Sequence, residues 1–504
     1  MKQHEGNEGN GECNGMSRKR FISRRDLLQQ AGEGMGGLAL AYLLSQNRLL
    51  AEPAEAKNIS CTGSAGVTDS PFLPKPPHFK ARAKSVISLF MCGGVSQVDT
   101  FDYKPMLEKY HGKPLEGKGE VTVRQGYPGP LMKSPYQFKQ HGKSGKYVSE
   151  LFPSIGGVVD DIAFIHSAQG RSVDHTLSSY EWNTGSIIAG FPSVGSWVTY
   201  GLGSENQNLP AFVVIQDPRG GPFTGASQWS AGFLPASYQG TMFRALGDPI
   251  LDLHPPTGSM SLEQQRAELD QLERMNQNYV EAHPGISELT ARISSYELAF
   301  RMQGCAPEAI DIDSESDETK RLYGLDNKAS EPFGRQCLMA RRLVERGVRM
   351  VQLWNGAVVN QNIDTWDAHN NIVENHGKHA LEVDKPIAGL ITDLKRRGLL
   401  DETLVYWHSE FGRMPLSQKG VGRDHNPGAM TVWMAGAGIK GGQTIGASDE
   451  FGWKAEQQII GAHDLHATLL HLIGMDHKRL TFFYNGRNMR LTDVAGELIP
   501  QIVG

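Results

Sequence analysis

The sequence predicts an α/β fold in three layers, a mainly parallel β-sheet with helices on both faces. Three observations predict it. Apolar runs of strand length recur along the chain, at 85–91, 162–166, 212–216, 348–353, 403–408 and 431–435, with helical stretches between several of them. Alternation of this kind favours parallel strands joined by helical crossovers. Several runs end in polar, glycine-bearing loops, the place where open α/β sheets bind ligands. Finally, the 504 residues are 39% hydrophobic and 21% charged, enough for a sizeable core. One large α/β domain with insertions fits that length as well as roughly three smaller domains.

The elements follow in chain order. Ser23-Arg24-Arg25-Asp26-Leu27-Leu28, an apolar stretch over 34–44 and the small-x-small exit Ala54-Glu55-Ala56 read as a twin-arginine signal over residues 1–56. The twin-arginine export machinery is therefore an expected partner, and a periplasmic or secreted location is expected. Residues 57–82, rich in Pro, Gly and Ser, read as a linker, and ordered signals run over 83–504. Leu262, Leu269, Leu272 and Met275 recur at helical spacing and the pattern breaks at Pro284-Gly285, so 259–303 reads as an inserted helical hairpin. The acidic stretch 311–319 lacks the central glycine of an EF-hand loop and reads as a solvated turn. Cys61, Cys92, Cys305 and Cys337 show no close zinc-site spacing, and one or two disulfides stay open. With 50 basic against 55 acidic residues the net charge is −5, which argues against a nucleic-acid protein. No run approaches the ~18 apolar residues of a membrane span.

Four clusters carry candidate chemistry. After the first strand, Gly93-Gly94 permit tight backbone geometry and Ser96, Asp99 and Asp102 supply oxygen groups; a capped turn is the plain alternative. After 162–166, Arg171 to Gly185 reads as a polar loop opening a helix, with His175 and Thr176 at its first turn, where unpaired amides favour an anion. In the third cluster, Asp367 and His369 alternate along an extended segment and could grip one cation, with His376 and His379 downstream. The fourth is the most specific. The strand 403–408 runs into Ser409-Glu410-Phe411-Gly412-Arg413 and then Gly422-Arg423-Asp424-His425, the pattern of a strand-end carboxylate followed by an Asp-His pair, common at hydrolytic metal sites. Ion pairs of Glu410 or Asp424 with Arg413 or Arg423 are the structural alternative.

These clusters, with Asn183-Thr184-Gly185, Trp366-Asp367-Ala368-His369, Asp464 to Leu470 and Gly486-Arg487, resemble the secreted domain-of-unknown-function family 1501 from residue 83 to the end. More distantly, the layout is similar to the alkaline phosphatase and sulfatase superfamily. That resemblance implies an alkaline-phosphatase-like fold and one or two divalent ions, zinc or calcium. It implies a hydrolase of phosphate or sulfate esters, acting on a small anionic ester or a sulfated glycan. Asp367, His369, Glu410 and His425 would hold the cation, with Asp99 or Asp102 in place of the carboxylate that ends the first strand of the superfamily. His175 falls on the nucleophile position, with Thr176 the nearest hydroxyl, and either would serve as nucleophile or general base. Arg171 and Arg413 would bind the anionic group, with Ser96 and Asp424 near the substrate. Phe411 stands where the superfamily has a histidine. A non-catalytic anion- or glycan-binding protein on the same fold is the alternative function.

Overall fold

The computed structural model describes residues 71–504 apart from 118–120, 122–127, 255–259, 283–286 and 360–361. The signal segment, most of the linker and Pro284-Gly285 lie outside the described residues. By its contacts the chain divides into a main unit, 58–259 with 269–504, and a second made of 1–57 with 260–268. The sheet and the site belong to the main unit.

From the N-terminus, β1 (Ser85–Met91) is followed by two short helical turns at Gln97–Thr100 and Pro105–Lys109, by the hairpin of β2 (Phe138–His141) and β3 (Lys146–Ser149), and then by β4 (Ile162–Ala168). The helices α1 (His175–Thr184) and α2 (Val194–Leu202) precede β5 (Phe212–Ile215) and β6 (Thr241–Phe243). Two long helices follow, α3 (Leu262–Ala282) and α4 (Ser287–Ile310), then α5 (Glu331–Glu345), β7 (Met350–Asn355) and α6 (Ile372–Arg396). The chain closes with β8 (Thr403–His408), the short pair β9 (Gly412–Arg413) and β10 (His425–Asn426), β11 (Met430–Gly436), β12 (Thr444–Ile445) and α7 (Ala462–Leu472).

Eight strands form one sheet in the order β12-β4-β11-β8-β1-β7-β5-β6. All neighbours are parallel except β11, which runs opposite to β4 and β8. The α/β architecture is therefore mainly parallel. All six apolar runs lie in it; the two edge strands β6 and β12 are too short to stand out as patterns in the sequence.

Side chains alternate across a strand, and β1 divides two cores accordingly. Ile87, Leu89 and Met91 pack with Leu338 and Leu343 of α5 and with Val383, Ile387 and Leu390 of α6. Val86 and Phe90 pack on the other side with Trp197 and Val198 of α2 and with Leu465 and Leu469 of α7. Helices thus cover both faces.

The long helix α6 begins at Ile372, capped by the Asn371 side chain on the amides of Val373 and Glu374. Polar residues and Pro386 hide its start, but His376, His379, Ala380, Val383, Ile387, Leu390 and Leu394 form one buried stripe. The end of the expected linker is also anchored: the amides of Lys75, His78 and Arg82 donate to the carbonyls of Leu202, Gly474 and Leu472. A proline-bearing segment has few amides to spend, and these three are spent on the domain. No helix of the described residues is long and apolar enough to cross a membrane.

Candidate functional site

The parallel strands β1, β4, β7 and β8 end on the same side of the sheet, and β11 begins there because it runs the other way. Loops from five strands therefore meet at one place. β4 sends out His175 at the start of α1, whose first turn is capped by Asp174 on the amides of Thr176 and Leu177. The loop after β7 brings Asp367 and His369. β8 ends in Ser409-Glu410, and the β9–β10 pair sets Arg413 opposite His425.

Asp367 is the hub. Its Oδ1 lies 3.0 Å from His369 Nε2 and 3.3 Å from His425 Nε2, and its Oδ2 lies 3.5 Å from His175 Nε2. The Arg413 guanidinium donates to Oδ1 at 2.6 Å. Burial alone would raise the Asp367 carboxyl, but Arg413 and the three imidazoles hold it far below the usual carboxylate range. Arg413 itself is fully buried and also donates to the Gly93, Gly94 and Arg423 carbonyls.

Each imidazole is fixed from behind. His175 Nδ1 lies 2.6 Å from Glu410 Oε1, His369 Nδ1 2.6 Å from Gln418 Oε1, and His425 Nδ1 2.6 Å from the Val173 carbonyl. A carbonyl only accepts, so His425 Nδ1 must carry the proton. Burial, chiefly, pulls that imidazole down to about 4, so it is neutral at pH 7 and its Nε2 is bare. His369 is held on Gln418 in the same sense, and its Nε2 faces that of His425 at 2.8 Å. Lone pairs at that distance repel unless a cation or a proton lies between them. The His175 Nε2 is buried with no hydrogen-bond partner. Burial opposes its charge, yet Asp367 and Glu410 raise the imidazole above its ordinary value.

The charges point the same way. Glu410 is fully buried, accepts from the Gly93 amide at 2.8 and 3.1 Å, and has no Lys or Arg within 4 Å among the described residues. A buried carboxylate without a cation is costly. His175, Asp367 and His425 form one group of ligand atoms within 4.8 Å of one another, and His369, Asp424 and His425 another. Imidazole Nε2 atoms locked by a second hydrogen bond, with a carboxylate among them, are the donor set of a divalent transition-metal centre. The residues present fit such an ion.

The expected residues are brought together in part. His175, Asp367, His369, Asp424 and His425 line the cluster. Glu410 stands one layer back, its oxygens taken by Gly93, Ser409 and His175, so it orients rather than touches. Asp99 and Asp102 lie apart: Asp99 binds Ser96 and Arg423 at 2.5 and 2.6 Å, and Asp102 binds Lys104 and Ser448. Both carboxylates are thus structural partners of the loop after the first strand. Ser96 is thereby occupied too. Arg413 is spent on backbone carbonyls and Asp367, while Arg171, half exposed, is held by Glu181. Gln418 and the Val173 carbonyl escape sequence reasoning, as does Phe223, stacked on His175 with ring centres 4.4 Å apart. Phe411 packs beside His175 and His425, 4.8 and 4.5 Å from their ring centres, while the two imidazoles lie 4.4 Å apart.

Among solved structures the chain is similar to a lipoteichoic acid synthase, LtaP, from Listeria monocytogenes, at 9% identity, covering 83% of this chain and 77% of that one, with a TM-score of 0.33. It is similar to the PsFucS1 sulfatase from Pseudoalteromonas sp. at 13% identity, 79% and 68% coverage and a TM-score of 0.32. An alkaline phosphatase from the Antarctic bacterium TAB5 gives 11% identity, 74% and 96% coverage and a TM-score of 0.30. No curated protein matches in sequence. Residues 83–503 match the family model described as "Protein of unknown function (DUF1501)", and the chain belongs to that family.

Proposed function

We propose that the chain is an exported, divalent-metal-dependent hydrolase of phosphate or sulfate esters. The observation that carries the reading is the set of three imidazoles, each with Nδ1 tied to an acceptor and Nε2 turned toward Asp367. Asp367, His369 and His425 would hold the ion, with Asp424 beside His369. A bound divalent ion offsets the charge that builds on ester oxygens in the transition state. His175 is the proton-accepting group: Glu410 fixes its tautomer, and in the neutral form its Nε2 can take a proton from an attacking hydroxyl or water. Side-chain exposures of 11 to 14% at His175, Asp367 and His369 leave a narrow approach from solvent. Arg171 stands in the loop that leads into His175 and offers its remaining donors to the anionic group.

The packing of Phe223, stacked, and Phe411, tilted, against His175 favours a second reading, a non-catalytic anion- or glycan-binding protein, because the packed imidazole has little freedom to work.

Metal analysis of protein purified without chelator separates the two. One or two equivalents of zinc or another divalent ion, lost in Asp367→Ala and His425→Ala, with turnover of a nitrophenyl phosphate or sulfate reduced at least 100-fold in both, are the expected results. Folded, metal-free wild-type protein would sink the hydrolase reading.

A further inference from the structure

A second cluster of titratable groups lies away from the histidine centre and shares no residue with it. The hairpin β2–β3 packs near the β12 edge of the sheet and leaves a cavity of about 230 Å³ between Tyr103, Lys146, Tyr147, His166 and Thr444. Lys146 Nζ touches His166 Nε2, lies 3.3 Å from Thr444 Oγ1 and sits 4.6 Å from the centre of the Phe164 ring. His166 Nδ1 is 2.9 Å from Thr431 Oγ1.

Two bases are thus pressed together, and among the described residues neither has a carboxylate within 4 Å. The one acid in the cavity wall, Asp102, is already paired with Lys104 at 3.0 Å and accepts a hydrogen bond from the Ser448 hydroxyl. An ammonium in a concave site without a counter-ion lacks its other half. The walls add a second requirement. Tyr103 and Tyr147 pack with ring centres 4.9 Å apart, and Tyr147 is 41% exposed at the rim. These rings offer a flat apolar surface beside the charge.

We propose that this cavity binds a small organic anion, its carboxylate or phosphate on Lys146 and its planar body against the tyrosines. The inference does not depend on the hydrolase reading. The surroundings agree with it: burial and then Lys104 depress Lys146 to about 8, with Asp102 opposing, and burial, Lys146 and Lys104 keep His166 neutral. An arriving anion raises the Lys146 value, so binding is strong below pH 8 and fades as the pH rises through it.

Titration calorimetry on the full chain at fixed ionic strength tests this with four carboxylate probes, none of them an ester: benzoate, 2-naphthoate, acetate and formate. One-to-one binding of the aromatic anions is expected, at least tenfold tighter than their small counterparts. Lys146→Met should weaken it at least tenfold with an unchanged melting temperature, while Asp367→Ala should leave it intact. Should Lys146→Met fail to fold, Tyr147→Leu at the rim is expected to weaken the aromatic anions several-fold and spare acetate. The proposal is overturned by absence of binding to wild type, by undiminished binding in Lys146→Met or Tyr147→Leu, by loss in Asp367→Ala, or by equal affinity for acetate and benzoate.

Discussion

At Gly93 the backbone takes φ +119°, and a Cβ there would stand 2.5 Å from the Trp366 amide nitrogen and 2.6 Å from that of Asp367. The glycine lets the end of β1 press against the loop that carries the hub carboxylate. Gly93→Ala is therefore expected to cost about 1–3 kcal/mol in strain and to push Asp367 away from the imidazoles. Thermal melting and metal content should fall together; an unchanged metal content would show that the loop moves without the site. The residue types of this site were legible in the sequence, since carboxylates and histidines after apolar strands are few. Their arrangement in depth was not. Glu410 ends its strand as expected, yet Gly93 takes its oxygens because the β1 loop runs across them. The atoms that fix the tautomers left no trace either: one is a backbone carbonyl, at Val173, and another an amide in a loop, at Gln418.

In α6 one stripe of side chains does two jobs. Its later turns, Ile387 to Leu394, bury against the sheet, while His376 in its first turns accepts the Ser96 amide at 2.9 Å. Desolvation by burial holds that imidazole well below its ordinary value, so it stays neutral and fit to accept. Packing strength and loop placement are therefore coupled through one helix. Ile387→Ala is expected to cost about 2–5 kcal/mol, measured by denaturant unfolding, with metal content unchanged because the deleted atoms are far along the helix. A loss below 1 kcal/mol would mean that the core collapses around the gap. Strands of six or seven residues announced themselves by mainly apolar runs. The two-residue β12 and three-residue β6 did not, because their place in the sheet is decided by neighbours rather than by their own pattern.

Across the molecule, the export reading rests on the pair Arg24 and Arg25 followed by the apolar stretch 34–44 and the exit Ala54-Glu55-Ala56, and the pair is what makes it a twin-arginine reading. Lys at both positions is expected to leave the protein in the cytoplasm, followed by cell fractionation; undiminished export would remove that reading and leave the site untouched. The order of strands has a consequence for synthesis. β1 is the first strand of the sheet to leave the ribosome and becomes its centre, but its partners are β7 and β8, so Val86 waits for Met350 and Ser85 for Thr403. The Gly93–Glu410 contact spans 317 positions. A nascent chain must carry its central strand unpaired through most of translation, a slow and aggregation-exposed interval. Core and ligand cluster then close in the same late event. A cell that sorts finished chains from unfinished ones by compactness alone would, for this protein, also be sorting those with an assembled site.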